Sequence, residues 1–170
     1  MIFTEPRDPR LITVRRGGTL SDRDHRLLAV WAATCAEHVF PIFEAALRGD
    51  DRLKHAIAQN HAWTRGEITM RQALKAAAAR SAARDVSGAA KFAAYATAQA
   101  VAVAHVPAHE LGAAAYAIRA VQAATSETGR EVAGRRECRW QREQLPDEIR
   151  DLVLDDQRLR NHACWFVFDC

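Results

Sequence analysis

The chain has 170 residues, 49% of them hydrophobic and 26% charged, and a formal net charge of +3 at pH 7. That length suits one domain with a real buried core, and so mild a charge excludes the concentrated Lys/Arg face of a nucleic-acid binder. Aromatic residues are only 7%, so alanine carries the apolar share, which argues against a sheet of branched side chains and for helices.

No apolar run reaches transmembrane length and the N-terminus has no signal-type apolar core, so no membrane partner and a cytoplasmic location are expected. The basic pairs Arg15-Arg16 and Arg135-Arg136 each have acids close by and read as solvated surface. Cys35, Cys138, Cys164 and Cys170 lack the paired spacing of a zinc site. A chain of this size needs no disulfide staples, so none is expected.

Residues 1–20 hold Pro6, Pro9 and Gly17-Gly18 and read as an extended N-terminal arm, with Leu11, Ile12 and Val14 laid against residues 21–170 as a short strand or irregular segment. Ser21 with Asp24 opens a first helix through about Val39, whose buried stripe is predicted as Leu27, Trp31, Cys35, His38 and Ile42, with Pro41 kinking or restarting it. A second helix follows from Arg52 to about Arg65, stopped by Gly66. Thr69 and Gln72 form a capping box for a third, through Arg84, and Ser87 starts a fourth. Gly129 and Gly134 are expected to loosen the chain before a helix from about Arg136 to Gln144, and Pro146 introduces a short helix, Asp147 to Leu154. The terminal run holding Trp165, Phe166 and Phe168 is too apolar to be left in water. It should dock on the bundle or on a second copy of the chain.

The organising stretch is Ala89 to Thr125, two alanine-walled helical segments bent or broken near Pro107. His105, His109, Gly112, Tyr116 and Arg119 recur there at alternating steps of four and three, the spacing of one helix face. His105 and His109 at that spacing can hold a divalent metal if His38, Glu37 or His61 supplies a third ligand. They lack the intervening acid of a zinc-protease helix, and Pro107 disturbs the turn between them, so structural hydrogen bonding is the competing reading and no cofactor is expected. Tyr116 and Arg119 offer a donor and a guanidinium for a carboxylate, against a packed tyrosine beside a solvated arginine. Trp31, Trp63 and Trp140 serve either as core filling or as the walls of a small-molecule pocket. Cys35 with His38 as its base lacks a third group to orient the imidazole.

The segments DPRLITVRRGGTLSDRDHRLLAVWAATCAEHVFPIFE, AWTRGEI, QAVAVAHVPAHELGAAAYAIRAV and WQREQLPDEIRDLVLDDQRLRNHACWFVFD resemble a family of bacterial all-α immunity proteins, Imm-5-like. The resemblance runs from about Asp8 to the C-terminus and marks Trp31, His38, Trp63, Arg65, Glu67, His105, His109, Tyr116 and Trp140 as positions of interest. It implies a cytoplasmic protein that binds and neutralises a co-produced toxin. Relatives sometimes carry an exonuclease-subunit name, but the chain shows no acidic metal cluster or nucleotide loop to support one.

The expected fold is a compact all-α single-domain bundle of about six to eight helices with the aromatic tail packed back on it. Two functions are carried forward. One is a toxin-binding immunity protein acting through its surface; a charge of +3 suits a toxin other than a basic nuclease. The other is a small-molecule-binding or metal-dependent enzyme whose interhelical pocket draws on Trp31, His38, Trp63, His105, His109, Tyr116 and Arg119.

Overall fold

A computed structural model describes residues 8–76 and 79–170, with the backbone alone at 75 and 76. The described residues are helical or in turns, apart from one isolated parallel bridge between Thr13 and Leu20. The first described segment folds as two 3-10 turns, Pro9–Leu11 and Val14–Arg16, and buries Leu11 and Leu20 in the common core. Residues 1–7 of the expected arm, Pro6 among them, lie outside the described residues.

Helix α1 (Asp22–His38) starts where the Ser21 hydroxyl accepts the Asp24 backbone N–H at 3.0 Å, with Asp22 and Asp24 facing the positive end of the helix dipole. Pro41 sits in the first turn of α2 (Phe40–Ala46), which restarts the helix as expected. The buried stripe of α1 keeps the expected Trp31 and Cys35 but is broader than the one read from the sequence and leaves out His38. Leu28, Trp31, Ala32, Cys35 and Ala36 are covered, Leu27 is half-buried and His38 is exposed. The alanines allow a broad face to be buried, and its centre lies about one residue away from the line through Leu27 and His38.

Helix α3 (Arg52–Thr64) ends at Gly66, whose φ of +77° lets its N–H reach Trp63 O at 2.9 Å while Glu67 N–H reaches Ala62 O at 2.9 Å. Thr69 and Gln72 cap α4 (Met70–Ala76) reciprocally, and α5 (Ala79–Ala82) follows. The single third helix expected through Arg84 therefore crosses positions 77 and 78, which are not among the described residues.

Helices α6 (Gly88–Ala102) and α7 (Glu110–Ala124) make the most extensive helix contact of the fold, and α8 (Arg130–Glu143) packs on α7 next. Gln99 meets Gly112 while Tyr95 meets Tyr116, so α6 and α7 run in opposite directions. Alanine permits the close approach, and glycine finishes it: a β-carbon on Gly112 would stand 2.6 Å from Gln99 Oε1, and one on Gly134 2.5 Å from Gln122 Nε2. Gly134 therefore does not loosen the chain. It lies inside α8, which begins at Arg130, well before the expected start, because the missing side chain makes room for α7.

Helix α9 (Asp147–Arg160) outruns its expected end at Leu154. The chain then turns through Asn161–Cys164 and folds back. Val167 and Phe168 are buried, Asn161 accepts the Phe168 N–H at 3.1 Å, and the Arg142 guanidinium donates to Phe168 O at 2.8 Å. Cys170 is joined to Cys138 on α8 by a disulfide with Cα atoms 6.1 Å apart. The expectation of no disulfide is thereby corrected: the returning tail brings together two cysteines 32 residues apart, a pairing that no sequence spacing reveals. No single helix among the described residues is long and apolar enough to cross a membrane.

Candidate functional site

The expected polar stripe of α7 is divided by the break before it. Val106 is extended, with φ −135° and ψ 106°, as the residue before a proline prefers, and α7 begins only at Glu110 after a 3-10 turn at Pro107–His109. His105 is thus on the loop and exposed, whereas the His109 Nδ1–H donates to Gln99 Oε1 on α6 at 2.7 Å. Among the described residues no group of three or more His, Cys, Asp or Glu is arranged to hold a metal ion. The seven candidate residues lie in separate neighbourhoods.

His105 and Trp63 line a cavity of about 290 Å³ between the N-terminal turns, the start of α1 and the end of α3. Arg15, Arg16, Arg26 and His25 also line it, with Asp22 as the acid. Arg15 pairs with Asp22, Arg16 donates to His105 O at 3.3 Å and Arg26 to Thr64 O at 3.4 Å. His25 is buried, its Nε2–H donates to Val103 O at 2.7 Å, and its ring meets Trp63 edge-on at 5.1 Å. Burial pulls its pKa below the ordinary 6.5, so the ring is neutral at pH 7.

His38 faces outward from α1 and stacks on Trp140 of α8, ring centres 3.6 Å apart. Its Nδ1–H donates to Glu137 Oε2 at 2.9 Å, and the buried Glu137 accepts Gln141 Nε2 at 3.0 Å through its other oxygen. The carboxylate orients the imidazole, as a second group does for many functional histidines. Trp31 is structural: it is fully covered, and its indole N–H donates to Gln141 O at 2.8 Å.

Tyr116 and Arg119 form a third place, on the outer edge of α7. Tyr116 lies 6.2 Å from Phe92, 5.3 Å from Tyr95 and 5.2 Å from Trp165, ring centre to ring centre. The Arg119 guanidinium carbon sits 5.3 Å from the Phe92 ring centre and 5.7 Å from that of Trp165, within cation–π range of both. No acid among the described residues pairs with Arg119, and its buried Nε–H has no acceptor. Burial raises the Tyr116 pKa, the nearby Tyr95 and Cys164 add to this, and the charge of Arg80 opposes it. Trp165 and Phe166 remain 46% and 62% exposed, and both have left-handed backbone, φ 57° and 56°.

The profile of a family described as "Imm-5 like putative immunity protein" matches residues 18–148. That is well over half of the chain. The protein belongs to the Imm-5-like family. No curated protein and no solved structure matches it. The seven candidates all lie inside the span shared with other Imm-5-like proteins, as do Phe92, Tyr95 and the cavity's His25, whereas Trp165, Phe166 and Cys170 lie beyond it.

Sequence reading of this Imm-5-like chain missed His25, Glu137, Phe92, Tyr95 and Trp165 as members of these three places. Phe92 and Tyr95 are three apart on α6, a spacing that could have flagged them, but nothing local joins them to α7 or to the tail. It also missed a buried acid pair. Glu110 on α7 and Asp156 on α9 lie together beside Arg160, which pairs with both. Burial first, and then the neighbouring Asp156 charge, push the Glu110 pKa well above its ordinary value, against the pull of Arg160. Its buried Oε2 finds no donor, as suits an acid that keeps its proton.

Proposed function

We propose that this Imm-5-like protein is a toxin-binding immunity protein, acting by covering a co-produced toxin without turning anything over. The observation that carries the reading is the family match across residues 18–148. The scattering of His38, His105, His109 and Tyr116 among separate neighbourhoods supports a binder over a catalyst, because acid–base chemistry needs its groups within reach of one reacting atom. The net charge of +3 favours a toxin with an acidic contact face. Co-expression with each protein encoded beside its gene tests this. One of them should be toxic alone, harmless with this chain present, and recovered with it as a stable complex. If no neighbour is neutralised, the reading fails.

A second reading rests on the cavity at Trp63. Its cationic lining of Arg15, Arg16 and Arg26, with a neutral His25 in the wall, suits a small anionic molecule that also donates a hydrogen bond. Native mass spectrometry of the purified protein should then show a small adduct that Trp63→Ala removes. A bare mass in the wild type contradicts it.

A further inference from the structure

We infer that the rim built from Phe92, Tyr116, Arg119, Trp165 and Phe166 is the face that grips the toxin, and that it takes a carboxylate of the toxin set beside an apolar side chain. The inference rests on the reading of the chain as a toxin-binding protein and says where and how it binds.

The first reason is the state of Arg119. Its guanidinium is held near two rings, Phe92 and Trp165, so its position is set before any partner arrives. Yet it has no acid partner among the described residues, and its Nε–H is buried without an acceptor. The Nε–H stays covered, but Arg119 as a whole is only half-buried and forms no ion pair among the described residues, so the outer nitrogens of its guanidinium are the ones an incoming carboxylate takes.

The second reason is the display of the tail. Trp165 and Phe166 both take the left-handed conformation, where residues with a β-carbon are strained, and both stay exposed. Burial alone explains Val167 and Phe168, which reach the core. It does not explain Trp165 held outward beside the unpaired Arg119, nor Phe166 left exposed at the next position. The anchored stem, with Phe168 bonded to Asn161 and Arg142 and Cys170 tied to Cys138, fixes where those rings stand. Tryptophan, tyrosine and arginine on a rigid frame are the side chains that dominate protein interfaces, because they bury much area at little cost in conformational freedom.

The test uses the toxin identified by neutralisation and measures its affinity by calorimetry for the wild type, Arg119→Gln, Phe166→Ser and Val132→Ser. Val132 is 62% exposed in the separate groove beside His38 and Trp140, which makes it the control. Arg119→Gln and Phe166→Ser should each weaken binding at least about tenfold, with Val132→Ser unchanged. Melting temperatures verify folding, and Phe166→Ser carries the test alone if Arg119→Gln does not fold. Undiminished binding by the folded rim variants overturns the inference and leaves the immunity reading intact. So does a wild-type dimer in solution that Phe166→Ser dissociates while toxin binding persists, because the rim then belongs to a second copy. A wild type that binds no neighbouring toxin overturns both.

Discussion

Two lengths of one helix, α7, are unlike. In its first half Gly112, Ala113, Ala114 and Ala115 are buried, and the Gly112 backbone lies so close to α6 that a β-carbon there would meet Gln99. Further along the face that Gly112 begins, Tyr116 and Arg119 are half-buried and engaged with rings from α6 and from the tail. The small residues of the first half hold the helices together. At Tyr116 and Arg119 the same face is less tightly sealed and keeps a cation with no acid partner among the described residues. Small residues set the close approach at one end of the face, and large ones occupy the other.

The largest expected effect lies in the sealed interior. Trp31→Ala should cost about 3–5 kcal/mol in chemical denaturation, since it opens a cavity and removes the indole bond to Gln141. A loss under about 1 kcal/mol would mean that the interior is far looser than its packing implies. Next comes the tether of the tail. In oxidised protein Cys170→Ser should cost about 2–4 kcal/mol, because the bond to Cys138 closes a long loop. Reducing agent should lower the wild-type melting temperature towards that of the variant.

A smaller effect depends on pH. The folded Glu110 holds its proton more tightly than the unfolded chain, so its contribution to stability is complete below its ordinary pKa of 4.5 and is lost as pH rises through the raised folded value. Glu110→Gln stays neutral throughout, so its melting temperature should fall less than the wild type's between about pH 5 and about pH 8. Parallel curves would contradict a protonated Glu110.

The smallest effect, and the sharpest for the comparison, is at the rim. Phe166→Gly relieves a left-handed φ of 56° at an exposed position. Set against the extra chain entropy of glycine, the net gain should be about 0.5–1 kcal/mol for the protein alone. A rim residue whose replacement stabilises the free protein is one whose place is not explained by folding. A loss of stability would make Phe166 part of the structural side instead.

Much of the fold was legible wherever one local rule decides. The Ser21 and Thr69/Gln72 caps, the Gly66 stop, the restart at Pro41 and the break at Pro107 all depend on a few adjacent residues. Where space between helices decides, the reading went astray. Gly134 reads as a breaker until α7 is seen pressed against it, and the stripe of α1 shifts because alanine makes its flanks equally buriable. Tyr116 and Arg119 stood out by their spacing, but what makes them more than a packed tyrosine and a solvated arginine comes from Phe92, 24 residues before Tyr116, and from Trp165, 49 after it. No local pattern contains that.

The most direct measurement of the central claim is hydrogen exchange on the toxin complex against the free protein. Backbone amides around Phe92, Tyr116–Arg119 and Trp165–Phe168 should slow on binding, while those lining the Trp63 cavity and the groove at His38 and Trp140 keep their free rates. Protection centred on either of those other places, with the α7 rim and the tail unchanged, would contradict the account.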